Sequence, residues 1–387
     1  MNFDVIVVGG GLVGASFALA LKDSGLTLAV VEAHPPLLSD SGGWDSRIYA
    51  ISPGSAALLE NVGAWSELDM GRVAQIEEMR VFGDDTSAEI RFSAYDAGLC
   101  ELAFIAENRE LQRALWKGLR AAGHVQVFAP AACRALSFAE DAAEIEFEDG
   151  RNMRARLIVA ADGADSWVRG QAGIEVDKQP YRQTAVVANF GTALPHGGVA
   201  TQWFRRDGVL ALLPLPGARV SMVWSTSTDY ATALLELPPA DFLAAVTGAT
   251  YDCLGELSLI TPLAAFPLRL QRPRQLVLPR LALAGDAAHN LHPLAGQGVN
   301  LGFRDAQVLA RVLTDRGAQT DCGDYRLLRR YERARAEDIA TMRLATDGLQ
   351  KLFNNDNPLL ARARNWGLRA ANGRRYLKNL LVQHAVG

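Results

Sequence analysis

"DVIVVGGGLVGASFALALKDSGLTLAVVEA", residues 4–33, is the stretch on which the fold turns. It reads as a strand, a tight glycine turn, a helix and a second strand. Asp4 to Val8 is a β-rich apolar run, as a parallel strand buried on both faces requires. Gly9, Gly11 and Gly14 follow with the spacing G-x-G-x-x-G. The first glycine permits the turn, the second lets a pyrophosphate approach the backbone, and the third lets helix and strand pack closely. The start of the helix offers free N–H groups and a positive dipole end to phosphates. Leu28 to Val31 is the second strand, and Glu32 closes it where an acid accepts ribose hydroxyls. A carboxylate there repels a 2′-phosphate, which disfavours NADP at this site. The unit reads as a dinucleotide site, with NAD and FAD both open at this point.

At 387 residues the chain is long enough for about two or three domains, each with its own core. A hydrophobic content of 49% and a charged content of 21% are those of an ordinary globular protein. The net charge of -4 argues against a general nucleic-acid binder, because no positive field covers the chain. Cys100, Cys133, Cys253 and Cys322 are scattered without a C-x-x-C pair and read as reduced thiols of a cytosolic protein. No metal site is expected. Val5 to Leu21 carries no charge, but it lacks a basic flank and contains Gly9, Gly10, Gly11 and Gly14, which suit a turn better than a signal peptide or span. The expectation is a soluble, cytoplasmic protein.

Two later stretches repeat the theme of a strand ending in a glycine turn. "RLIVAADGADSWVR", residues 156–169, places Asp162-Gly163 after an apolar strand and before Ser166 and Arg169. "LALAGDAAHNLHPLAGQGVN", residues 281–300, places Gly285-Asp286 after another. An acid at a strand's carboxyl end, beside a glycine, can accept hydrogen bonds from a polyol. Gly296-Gln297-Gly298 at the start of the next helix lets main-chain N–H groups face a flat, electron-rich ring.

With these three motifs the chain resembles the single-component flavoprotein aromatic hydroxylases, which are para-hydroxybenzoate hydroxylase-like. Within them it is similar to the ubiquinone-biosynthesis FAD-dependent hydroxylase family. The closer likeness rests on "LHPLAGQGVNLGFRDA" (291–306), "SRIYAIS" (46–52), "NRELQRAL" (108–115) and "LALLPLPGARVSMVWS" (210–225), and it covers essentially the whole chain. The fold class implied is α/β (α+β overall). It comprises a Rossmann-like FAD-binding domain of the glutathione-reductase type, an inserted, mostly antiparallel β-sheet substrate domain, and C-terminal helices. The expected boundaries are 1–75, 101–180 and 280–345 for FAD binding, 76–100 and 181–279 for the substrate sheet, and 346–387 for the C-terminal helical segment.

The resemblance implies FAD as cofactor, NAD(P)H as a transient reductant and O2 as co-substrate, with oxygen transferred from a flavin hydroperoxide. It places Gly9, Gly11, Leu12, Val13, Gly14, Glu32 and Ala33 at the ADP half of FAD. Arg109 would reach the pyrophosphate or ribityl region and Asp286 a ribityl hydroxyl. Asp162 and Gly163 would serve cofactor binding, including NAD(P)H. Pro293, Gly296, Gly298, Val299 and Asn300 would lie beside the isoalloxazine, where the dipole of the helix beginning near Val299 would stabilise negative charge. No catalytic residue is assigned. Arg47, His292, Pro293 and Gly296 are the flavin-facing candidates. The resemblance implies a flavin- or nicotinamide-facing role for the Arg47 loop, and the alternative is a surface arginine before a helix that Ser52 caps and Pro53 starts. His289 and His292 lack a third ligand and read as structural or as lining the flavin edge.

From Tyr181 to Pro279 the pattern turns to strands: "TAVVANFGT", "GVATQWF", "VLALLPL" and "RVSMVWSTS", with Pro216-Gly217 as the turn joining the last two. "EMRVF" (78–82) is expected to add an edge. Trp203, Leu212, Leu213, Pro214 and Trp224 are substrate-pocket candidates, each with ordinary sheet core as its alternative. From Pro358 onward the chain has Arg362, Arg364, Arg369, Arg374, Arg375 and Lys378 and no acid. One reading is a basic amphipathic tail on an anionic membrane, at the inner membrane face, or on a partner. The other is a helix pair packed on the flavin domain. The expected substrate is a lipid-like prenylated phenol or quinol, and a multi-enzyme ubiquinone-biosynthesis complex is a candidate partner. The rivals are a flavin monooxygenase of a soluble aromatic acid, a plain NAD dehydrogenase, and a non-catalytic FAD-binding member of a complex.

Overall fold

The computed structural model describes residues 1–37, 42–83, 88–290 and 297–353. Its centre is the strand Asn2–Val8, which pairs in parallel with Leu28–Val31 on one side and Asn152–Ala160 on the other. Val125–Phe128 extends the sheet beyond Leu28–Val31, and Leu281–Leu283 extends it beyond Asn152–Ala160, both in parallel. Side chains alternate between faces along a strand. Val5, Val7 and Val30 pack under the helices Leu12–Ala20, Asn108–Ala121 and Gln297–Thr314. Ile6, Val8, Ala29 and Val31 face a second core with Ile145, Phe147 and Val168. Burial on both faces is why these strands read as unbroken apolar runs.

Parallel strands end together. The Gly9 turn, Glu32, Asp162-Gly163 and Gly285-Asp286 therefore all stand at one edge, the carboxyl edge, where α/β sheets bind ligands.

The second sheet runs in the order Leu257–Leu259, Val176–Thr192, Arg219–Ser227, Gly208–Leu215, Val199–Arg205, Glu78–Phe82, Glu89–Ser93, with Ala264–Pro273 also paired to Val176–Thr192. It is antiparallel except where Val199–Arg205 meets Glu78–Phe82. Phe190, Met222 and Trp224 on its outer face are covered by the helices Thr228–Glu236 and Pro239–Ala249 through Ala231, Leu234, Phe242 and Val246. The inner face packs through Leu213 and Leu215 against Ile48, Ala50 and Ile105 of a small sheet formed by Ile48–Ile51, Ala74–Ile76 and Ala103–Glu107.

Several expected boundaries shift. Glu78–Phe82 is not an edge, because Glu89–Ser93 pairs outside it. Val176–Thr192 runs through the expected break at 180/181, and Val277–Leu278 joins the parallel sheet rather than the second one. The helix Tyr325–Phe353 continues through residue 346, so no break falls there; it lacks an internal proline to force one. The basic tail, residues 354–387, lies outside the described residues.

Replacing Phe242, 1% exposed, with alanine should cost about 3–5 kcal/mol of stability in urea unfolding. A loss below about 1 kcal/mol would show that the two helices do not close the outer core.

Candidate active site

The glycine turn is tight. Gly9 has φ +104°, and a Cβ on Gly14 would lie 2.0 Å from the Gly9 carbonyl oxygen. No larger residue fits at Gly14 without moving the helix off the strand. A Cβ on Gly11, by contrast, would meet no atom within 4 Å, so the backbone at the helix start is open to a bound group. The loop's other polar groups are fixed: Trp116 Nε1 donates to the Gly10 carbonyl at 2.8 Å, and Gly10 N–H donates to Glu32 Oε2 at 2.7 Å. Glu32 Oε1 accepts from His34 N–H at 2.8 Å, so the carboxylate is held at the strand end. Leu12 is buried, while Val13 and Ala33 are half-buried.

The Asp162-Gly163 turn lies against this one, since a Cβ on Gly9 would meet the Ala161 carbonyl oxygen at 2.3 Å. Asp162 Oδ2 accepts from Val168 N–H at 3.0 Å, whereas its Oδ1 is buried with no hydrogen-bond partner. Burial raises the Asp162 carboxyl above its ordinary value, against hydrogen bonds from Ser166 and Val168. Arg169 is 4% exposed and donates to the carbonyls of Ala164 and Ala287 and to Gln271 Oε1. It ties the Asp162 turn to the Gly285-Asp286 turn and to the second sheet.

Gly285-Asp286 reaches the same place, with a Cβ on Gly285 falling 3.1 Å from Val13. The Asp286 side chain is solvent-accessible but crowded by protein, which raises its carboxyl above the ordinary value against the pull of His289 and Arg47. Behind it, buried Asp305 accepts from Gly285 N–H at 2.9 Å, stands 2.6 Å from His289 Nε2, and accepts from Arg335 Nε at 2.7 Å. Burial alone would raise Asp305; His289 and Arg335 together hold it below its ordinary value. Asn300 fastens the following helix to the Arg47 segment: Oδ1 accepts from Ser52 N–H at 2.9 Å, and Nδ2 donates to the Ala50 carbonyl at 2.8 Å. Ser52 caps the helix Pro53–Asn61 through Ser55 N–H. A Cβ on Gly298 would meet nothing within 4 Å, and Val299 is half-buried. His292, Pro293 and Gly296 lie outside the described residues.

Arg47 is exposed, 5.5 Å from the Tyr49 ring centroid, and within electrostatic reach of Asp286. Its loop is braced by residues that sequence reasoning missed. Asp45 accepts from the backbone N–H of Arg47 at 2.9 Å and of Arg109 at 3.1 Å, joining the two backbone segments. Fully buried Glu107 takes Arg72 in a two-point pair at 2.6 and 2.9 Å. Arg72 and Arg219 lie 4.5 and 5.5 Å from the Trp44 ring centroid. Glu107 carried a signal, as an acid ending an apolar strand just before "NRE". The tie of Asp45 to Arg109 and the partners of Asp305 arise only in three dimensions.

The substrate candidates split by face, and here the expectation is corrected. Trp203, Leu212 and Trp224 pack in the outer core beneath the two covering helices, so none reaches the cofactor side. Pro214 shares their parity, being paired with Val220 of that core. Leu213 alone points inward. Residues directly opposite in the register share a face. The inner row beside Leu213 is therefore Ser221, Asn189, Val223, Ala211 and Gln202. Asn189 Nδ2 donates to the Asp45 carbonyl at 2.8 Å, joining this face to the Arg47 loop. Among the described residues no group of three or more His, Cys, Asp or Glu could hold a metal, and no helix is long and apolar enough to cross a membrane.

The three carboxylates predict opposite pH behaviour. Asp305, lowered, adds stability that is present above the ordinary carboxylate value and lost as pH falls through its lowered one. Asp305→Asn removes the buried carboxylate from Arg335, leaving it only Asp338 as an ion-pair partner, and should cost about 3 kcal/mol near neutral pH, with the gap closing toward acid. Asp286 and Asp162, raised, subtract stability as pH rises past the ordinary value. Asp286→Asn should therefore stabilise the cofactor-free protein while weakening FAD binding. Thermal unfolding across pH reads both signs, and destabilisation of the cofactor-free protein by Asp286→Asn at neutral pH would contradict the assignment.

The chain is 37% identical over 385 residues to a protein of Rhodospirillum rubrum named ubiquinone hydroxylase UbiL, covering 99% of this chain and 89% of that one. It is 37% identical to the 3-demethoxyubiquinol 3-hydroxylase of Escherichia coli, over 99% of this chain and 98% of that one. Among solved structures, p-nitrophenol 4-monooxygenase PnpA of Pseudomonas putida superposes with a TM-score of 0.81 at 18% identity, covering 100% of this chain and 99% of that one, which shows a shared fold. The pattern of the FAD binding domain family matches residues 2–343, and the chain belongs to that family.

Proposed function

We propose that the protein is an FAD-dependent monooxygenase that hydroxylates the aromatic ring of a prenylated phenol or quinol precursor in ubiquinone biosynthesis, using NAD(P)H and O2. The observation that carries the reading is what faces the cofactor edge. Leu213, Ala211, Val223, Ser221, Asn189 and Gln202 on the inner sheet face bear no charge. Arg219 shares their parity, but it lies at the strand end, donates to the Pro216 carbonyl at 2.9 Å and stacks on Trp44. A neutral ring with an apolar tail suits such a face, whereas an aromatic acid would bring its carboxylate to a row of six uncharged side chains. The names of the relatives at 37% identity support the same substrate class.

Bound FAD would supply the activation of O2 that no protein side chain can provide. The chain's own share is binding and orientation. The open backbone at Gly11 and the Gly10–Glu32 bond suit the ADP half, and Asp286 suits the ribityl chain. Asp45 braces the Arg47 loop, whose guanidinium acts on Asp286, against the start of the Arg109 helix, and Arg169 fixes the two acid-bearing turns relative to the sheet. The uncharged inner face, with Leu213, Ala211 and Val223 as its apolar part, positions the ring and excludes water from the reacting carbon.

Peripheral membrane contact and membership of a biosynthetic complex belong to this reading. Their support is the tail from Pro358, with six cations and no acid, which suits anionic lipid around an extractable prenyl substrate. Binding to anionic vesicles should fall at least tenfold on truncation after Asn357; unchanged binding would remove the membrane part.

Deleting the gene in its host should cause a prenylated precursor lacking one ring hydroxyl to accumulate, identified by mass spectrometry. Unchanged quinones, with NAD(P)H oxidation by the purified protein stimulated instead by simple hydroxybenzoates, would move the assignment to a soluble aromatic acid.

A further inference from the structure

His289 is a titratable group at this site to which the function above gives no chemical step. It is 4% exposed, four residues past Gly285, on the segment leading to the stretch expected beside the isoalloxazine. Its Nε2 stands 2.6 Å from Asp305 Oδ2. An ionised carboxylate only accepts hydrogen bonds, so Nε2 carries the hydrogen. That leaves Nδ1 as the ring's second protonation site, and Nδ1 is buried with no hydrogen-bond partner. Asp305 gives nothing further to the imidazole, because its other oxygen is taken by Arg335, a guanidinium 1% exposed that also donates to the Leu301 carbonyl and pairs with Asp338.

We propose that His289 Nδ1 is the site at which the protein takes up a proton when negative charge is placed on the bound flavin, with the Asp305–Arg335 pair as the fixed neutral support that holds the ring in position. The inference rests on the FAD reading above. Transfer of a hydride from NAD(P)H brings two electrons and one proton, so the bound group gains one negative charge. The balancing proton comes from solvent and forms an N–H bond at Nδ1, and no bond in the protein breaks. The charged and titratable groups around this pair come from every packed element: Asp286 on the same segment as His289, Asp305 and Arg304 on the helix Gln297–Thr314, Arg335, Asp338 and the neutral Tyr331 on the helix Tyr325–Phe353, and Arg47 across the cleft. Among the described residues Asp305 and Asp338 face Arg335 and Arg304, and Arg47 faces Asp286, so protonation of His289 is what adds a positive charge here when a new anion arrives.

The test is the midpoint potential of the FAD-loaded full chain against pH, between about pH 5.5 and 8, for the wild type and His289→Gln, whose amide can still donate to Asp305. One extra proton per two electrons makes the wild-type line steeper by about 30 mV per pH unit over part of that range. Parallel lines overturn the inference while leaving FAD binding intact, and a wild type that takes up no flavin overturns the underlying reading instead. Should the variant fail to hold FAD, the His289 ring-nitrogen NMR signals of the wild type decide: protonation of Nδ1 on reduction is expected, and signals unchanged on reduction overturn it.

Discussion

Everything at the site depends on one contact between backbones. The helix Leu12–Ala20 starts so close over the end of the strand Asn2–Val8 that a methyl group on Gly14 would sit 2.0 Å from the Gly9 carbonyl oxygen. Around that point the other turns close in at similar range, Ala161 against Gly9 and both Gly285 and Gly302 against Val13. Four chain segments meet there with almost no side chain between them. The outcome is a patch of main-chain N–H groups and acids at one sheet edge, suited to a phosphate-bearing, polyol-linked ligand.

Charge is distributed around this patch in two layers. The forward carboxylates, Asp162 and Asp286, are both raised by the protein packed around them, and Asp162 Oδ1 is buried with no hydrogen-bond partner. The rear carboxylate, Asp305, is over-satisfied, with Gly285, His289 and Arg335 on its two oxygens. The rear layer stabilises the fold and the forward layer draws on that stability for binding. Arg335 brings the helix Tyr325–Phe353 into the same arrangement, as does Tyr331 through its hydroxyl bond to the Leu283 carbonyl.

Local signals were legible in the sequence because they are short-range and chemically strict. The G-x-G-x-x-G turn, the acid after the second strand, the two strand-end acid–glycine pairs and the Ser52-Pro53 helix start each need only a few consecutive residues. The substrate face was not legible in the same way. Alternation told that "VLALLPL" has two faces, but which face meets the cofactor depends on where the helices Thr228–Glu236 and Pro239–Ala249 dock, and no local pattern fixes that. The bulky Trp203 and Trp224 drew attention to the outer side, while smaller Ala211, Leu213 and Val223 hold the inner one. The long-range braces were equally hidden, since Asp45 meets Arg109, Arg72 meets Glu107 and Asp305 meets Arg335 across tens of residues.

The central claim is that this edge, loaded with FAD and facing an uncharged sheet, delivers oxygen to an aromatic ring. Its most direct test is turnover of the FAD-loaded protein with NAD(P)H, a prenylated phenol and 18O-labelled O2. The account predicts a product heavier by one labelled oxygen atom, with the label on the ring. NAD(P)H consumed with hydrogen peroxide as the sole oxygen product, across prenylated phenols, would contradict it.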